Sequence, residues 1–119
     1  MHRRIMMDER ERVLFERQAH ICKALSDPKR IMIIHELREG ERTVGDLVGA
    51  LGLAQANLSQ HLAVLRDKGL VVAQRRGNNV FYSLVSPKIT EACDMVRQVL
   101  AEQFERSQEL AGGLLADRK

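Results

Sequence analysis

At 119 residues, 45% of them hydrophobic, the chain is long enough for one domain with a modest core. No stretch has the apolar length of a bilayer span, and the opening MHRRIMMDERER lacks the hydrophobic run of a secretory signal, so a soluble, cytoplasmic protein is expected. Two distant cysteines make no disulfide framework. With no Trp, one Tyr and three Phe, the chain also lacks the rings that stack on single-stranded bases.

The net charge of +3 is unevenly placed. From Gln55 to Lys88 five basic residues (Arg66, Lys68, Arg75, Arg76, Lys88) face one acid, Asp67, which makes this stretch +4 and leaves the other 85 residues at −1. Positive charge gathered on a third of the chain is the footprint of a phosphate-facing surface.

Residues 1–7 are expected to fray. Asp8 to Leu25 reads as an amphipathic helix, with Leu14, Gln18, Ile21 and Leu25 on one stripe and Phe15 and Cys22 beside it. Ser26 is then placed to cap a helix from Asp27 to about Arg38, with Pro28 in the first turn, where a missing N–H costs nothing. Its residues Ile31, Ile33, Ile34 and Leu37 are expected in the core, and it stops at Gly40.

The stretch from Thr43 to Lys68 reads as two short helices joined by a tight turn. Thr43 is positioned to cap the first, with Asp46 three residues on. Leu47, Val48 and Leu51 mark its apolar face, and Gly52 follows where a left-handed residue ends a helix. Leu58, Leu62 and Leu65 mark the apolar face of the second helix. Opposite them stand Gln55, Asn57, Ser59, Gln60 and His61, short or amide-bearing side chains without a run of charge. Such a face suits base edges in a major groove, where amides bond adenine and small residues allow close approach.

Gly69 ends that helix. Leu70 to Gln74 and Val80 to Leu84 then form a β-hairpin around the polar turn RRGNN, with Gly77 and Asn78 supplying turn conformations. Beside a helix pair, the hairpin reads as a wing whose Arg75 and Arg76 meet phosphates or a minor groove. Ser86 and Pro87 open a last long helix to about Leu110, striped by Ile89, Ala92, Cys93, Val96, Val99, Leu100 and Phe104. The closing AGGLLADRK is left as a tail of undefined order.

Helix, helix, helix–turn–helix, hairpin, helix is the element order, and the phrases DPKRIMIIHEL, LSQHLAVLRDKGLV and RRGNNVFYSL resemble the ArsR/SmtB family of winged helix-turn-helix repressors. The resemblance runs from about Ile21 to Leu84. It implies a mainly α fold with a small β-hairpin, in a single domain over 1–119. Within it, 1–25 and 86–112 would be dimerisation helices, 43–68 the helix–turn–helix and 70–84 the wing. It also implies a homodimer that represses its own operon and leaves the DNA when a metal, metalloid or thiol-reactive signal arrives. The long apolar stripes of the first and last helices fit such a dimer independently, and a two-fold dimer calls for a pseudo-palindromic double-stranded operator. Carried over position by position, Gln55, Ala56, Asn57, Ser59 and Gln60 would lie in the groove, with Ala56 against a thymine methyl. His61 would lie either in the groove or against the helix body. Arg75, Arg76, Asn78 and Asn79 would be the wing contacts.

The family's metal sites do not carry over. Its metalloid site needs paired cysteines where this chain has Val44, Gly45 and Asp46. At the positions of its zinc site on the last helix stand Ser86, Lys88, Val99 and Glu102, of which Glu102 alone could ligate. A metal site of His20, His35 and either cysteine is disfavoured because His20 and Cys22, at i and i+2, face different sides of a helix; no metal and no cofactor are expected. Cys22 and Cys93 remain as a candidate thiol sensor if the helices carrying them pack together, or as ordinary buried small residues. The family's cysteine-pair sensors place their thiols near where this chain has His35 and Ala101, a different spacing. No phosphate loop, nucleophile elbow or metalloprotease motif suggests an enzyme. The rival reading is a helical protein–protein interaction module that keeps the fold without DNA sensing; a basic hairpin beside a nearly neutral polar helix face favours nucleic acid.

Overall fold

The computed structural model describes residues 7–117, with side chains left aside at 111 and 113–117. Except for Met7, which is exposed, the residues expected to fray lie outside the described ones. The elements are α1 (Glu9–Ala24), α2 (Pro28–Glu36) followed by a 3-10 turn at Leu37–Glu39, β1 (Arg42–Thr43), α3 (Val44–Leu51), α4 (Gln55–Asp67), β2 (Val71–Arg76), β3 (Asn79–Leu84) and α5 (Lys88–Asp117). They fall into two compact units, one up to Ser86 and one from Pro87. No described helix is long and apolar enough to cross a membrane.

In the first unit the core is built from α2, α3, α4 and the start of β2. Ile33, Ile34 and Leu37 meet Leu47, Leu58, Leu62, Leu65, Leu70 and Val71, each at most 4% exposed. The helix starts follow from local chemistry. Asp8 caps α1 by accepting from the Glu11 N–H at 2.9 Å. The cap of α2 is Asp27 rather than Ser26, because its carboxylate reaches the Lys29 and Arg30 amides at 2.8 and 3.3 Å. The Ser26 hydroxyl closes the end of α1 instead, donating to the Lys23 carbonyl at 2.6 Å. At α3 the capping box forms in full: the Asp46 N–H donates to Thr43 Oγ1 and the Thr43 N–H to Asp46 Oδ2, both at 3.1 Å. Gly52, at φ 67°, ends α3 in the left-handed conformation and donates to the Val48 carbonyl at 2.9 Å.

The hairpin pairs Val71 with Leu84 through Arg76 with Asn79. The strands run further into RRGNN than the polar sequence suggests, leaving a turn of Gly77 and Asn78. Gly77 alone has a positive φ (62°), the pattern of a type II′ turn, so Asn78 needs no left-handed backbone. The sheet also has a third member. β1 pairs antiparallel with β3, Arg42 against Tyr82 and Thr43 against Phe81, giving the order β1-β3-β2. This short strand ties the entry to α3 to the base of the wing.

The second unit is α5, 30 residues or about 45 Å long. It continues past Leu110 to Asp117, through two glycines that each cost about 1 kcal/mol relative to alanine in a helix and so weaken the sequence signal there.

Candidate nucleic-acid interface

On α4 the three buried leucines fix which way the helix faces. Gln55, Ala56, Ser59 and Gln60 are exposed on the opposite side. Ala54, at the N-cap, has no side-chain acceptor, so the leading amides of α4 are not capped by a side chain. Such amides suit a phosphate oxygen. The outward face therefore offers two long amides, two small residues and an uncapped amino end.

Asn57 and His61, four residues apart, share the edge of this face nearest α2. Both are half-buried and both meet the first turn of α2. Lys29 Nζ donates to Asn57 Oδ1 at 3.3 Å. His61 lies close enough to Asp27 for its charge to act on the carboxylate. Desolvation raises the Asp27 pKa, but the amide bonds from Lys29 and Arg30 and the charges of His61 and Arg30 outweigh it and hold it below its ordinary value. Asp27 and Lys29 were not among the sequence-derived site residues. Their partners lie about one helix–turn–helix away in sequence, and no local pattern links them.

The two wing arginines leave the hairpin on opposite faces, as alternation in a strand requires. Arg76 lies over the Phe81 ring, 4.1 Å from its centroid, and pairs through Nη2 with Glu41 Oε1. Arg75 is exposed and, among the described residues, has no hydrogen bond or ion pair. Asn78 and Asn79 are exposed at the tip. Glu41 is a further residue absent from the sequence reading; it lies 35 positions from its partner.

The profile of the bacterial regulatory protein, arsR family, matches residues 27–72. The HTH-type transcriptional regulator Rv0081 of Mycobacterium tuberculosis is 44% identical over 89 residues, covering 74% of this chain and 78% of its own. The chain belongs to the ArsR family. The crystal structure of Rv0081 has a TM-score of 0.69 at 42% identity, over 77% of this chain and 93% of that one. The biofilm growth-associated repressor of Xylella fastidiosa is 36% identical over 89 residues, covering 75% of this chain and 78% of that one. A homodimeric winged helix-turn-helix DNA-binding domain from Mycobacterium bovis, 28% identical, has a TM-score of 0.74 over 87% of this chain and 95% of that one. The fold of this ArsR-family chain is accordingly a winged helix-turn-helix.

Among the described residues no group of three or more His, Cys, Asp or Glu gathers to hold a metal ion. Cys22 is exposed on α1. Cys93 on α5 is half-buried, and desolvation and then Asp94 raise its pKa against the opposing charge of Arg97. A raised pKa lowers the thiolate fraction of Cys93 at neutral pH.

Proposed function

We propose that this chain is a sequence-specific regulator of transcription, a repressor that binds a double-stranded, pseudo-palindromic operator as a homodimer. The observation that carries the reading is the exposed face of α4, which presents Gln55, Ala56, Ser59 and Gln60 from a helix whose other side is locked in the core. Those side chains fit the width and donor–acceptor pattern of a major groove. Arg75 and the asparagines of the wing tip supply the flanking phosphate contacts. The repressing sense draws support from the relative named a biofilm growth-associated repressor.

A second copy accounts for the apolar surface of the terminal helices. On α1, Leu14 and Phe15 are 67% and 55% exposed, and on α5 Val96, Val99, Leu100 and Phe104 are 51–64% exposed. Stripes of this size on a single chain mark a protein interface. Pairing through a two-fold axis covers them and sets two copies of α4 on one side of the duplex. A thiol-reactive effector is the class that fits the chain's own residues, with the exposed Cys22 as its entry point.

The test is a gel shift against a pool of random duplexes and a selected sequence, titrated with salt, with sedimentation of the free protein alongside. The reading expects a dimer, a selected sequence bound well above the pool, and binding that weakens steeply with salt. A monomer that binds no duplex overturns it.

A further inference from the structure

The amide of Asn57 is the one side chain of the α4 polar set with a direct bond to another helix among those described. Lys29 Nζ donates to its Oδ1 at 3.3 Å, across 28 residues of sequence. An ammonium has three donors and no acceptor, so the amide atom facing it is the oxygen and the NH2 is turned away. Lys29 starts from fixed backbone: its own N–H is held by Asp27 at 2.8 Å, next to Pro28 in the first turn. Ile33 and Ile34 of α2 and Leu58 and Leu62 of α4 are all buried, so both ends of the bond rest on the same core.

We propose that Lys29 is a specificity-determining positioning residue, which fixes the flip of the Asn57 amide so that Nδ2, the donor, faces the base edge. The inference rests on the DNA-binding reading above and adds a chemical selection to it. An unrestrained asparagine presents either its oxygen or its NH2 by turning about χ2, and so suits a donor or an acceptor equally. With the oxygen turned to Lys29, the groups Asn57 bonds are acceptors: purine N7, guanine O6 or thymine O4. A cytosine N4 amine at the same place would set N–H against N–H. Lys29 thus controls a base preference without touching the base.

The test uses the full chain as wild type and as Lys29→Met, Lys29→Arg, Asn57→Ala and the Lys29→Met/Asn57→Ala double variant. Each is measured against the sequence selected from a random duplex pool, with all four base pairs substituted at every position, and then over a range of salt. Asn57→Ala is expected to flatten the preference at one position per half-site. Lys29→Met should flatten the same position, from about ten-fold discrimination to about two-fold, while other positions keep theirs. The double variant should flatten it no further, and Lys29→Arg should restore it, since a guanidinium is also donor-only. If Lys29→Met weakens all duplexes alike and leaves that preference intact, Lys29 is a phosphate contact and the proposal is overturned. It is equally overturned if Asn57→Ala flattens no position. A wild type that binds every duplex equally removes the regulator reading itself, a result separate from either.

Discussion

Replacing Arg75 and Arg76 by alanine one at a time separates a phosphate contact from a structural anchor. Each phosphate neutralised on B-DNA contributes about 0.9 to the slope of log affinity against log salt, so two copies of Arg75 in a dimer account for about 1.8. Over a rise from about 50 to 200 mM salt, losing that slope amounts to about a twelve-fold smaller fall in affinity for Arg75→Ala than for wild type. Arg76 is different because Glu41 already balances its charge and Phe81 holds its guanidinium. Its removal should leave the slope nearly unchanged. The side chains of the pair are 48% and 42% exposed, so the ion pair itself is worth well under 1 kcal/mol after solvent screening. The ring contact adds about 0.5–1 kcal/mol, which puts the loss in stability for Arg76→Ala at about 1 kcal/mol. Glu41→Gln should do the reverse, releasing a charge at each wing and steepening the slope by up to about 1.8. Fluorescence anisotropy on a labelled duplex across salt, with urea unfolding of the same variants, reads all of these. Equal flattening by Arg75→Ala and Arg76→Ala would refute the division of roles, and no flattening by either would take the wing off the DNA.

Gln55→Ala should lose discrimination at one base pair, at a cost of about 1–3 kcal/mol for the selected sequence, with binding to random duplex nearly unchanged; equal losses on both would count against base reading. Gly52→Ala should destabilise the fold by about 1–2 kcal/mol in urea unfolding, because φ is 67° and an added Cβ meets nothing within 4 Å, so the cost is conformational alone. The folded Asp27 pKa lies below its ordinary value, so its contribution to stability is present at neutral pH and above the ordinary carboxylate value, and is lost as pH falls through the folded pKa. Wild type should accordingly exceed Asp27→Asn in stability near neutrality, and the two unfolding curves should converge in acid. A constant gap across pH would show that the carboxylate charge is not what stabilises the cap.

Much of this architecture is written in short-range chemistry. The Thr43–Asp46 box, the left-handed Gly52 and the leucine spacing of α4 are local devices, and each forms where its residues stand. The exposed face of α4 follows directly from that spacing. The pairs that refine the site are not local. Lys29 meets Asn57 across 28 residues and Arg76 meets Glu41 across 35, and neither leaves a periodic trace. For the same reason Asn57 and His61 read as equals of Gln55 and Gln60, although Lys29 and Asp27 at the start of α2 stand beside them. β1 has only two residues, too few for alternation to register, and is specified by its pairing with β3. Adjacent arginines looked alike in sequence because the strand continues through them and sends them to opposite faces.

On the proposed function, two copies of α4 enter successive stretches of major groove on one face of a duplex. Guanine-N7 methylation interference on a sequence selected by the wild-type protein tests it most directly, since N7 lies on the major-groove edge. Two blocks of interference are predicted, centred about one helical turn or a whole multiple of it apart. A single block, or binding that methylation of the groove leaves untouched, would contradict it.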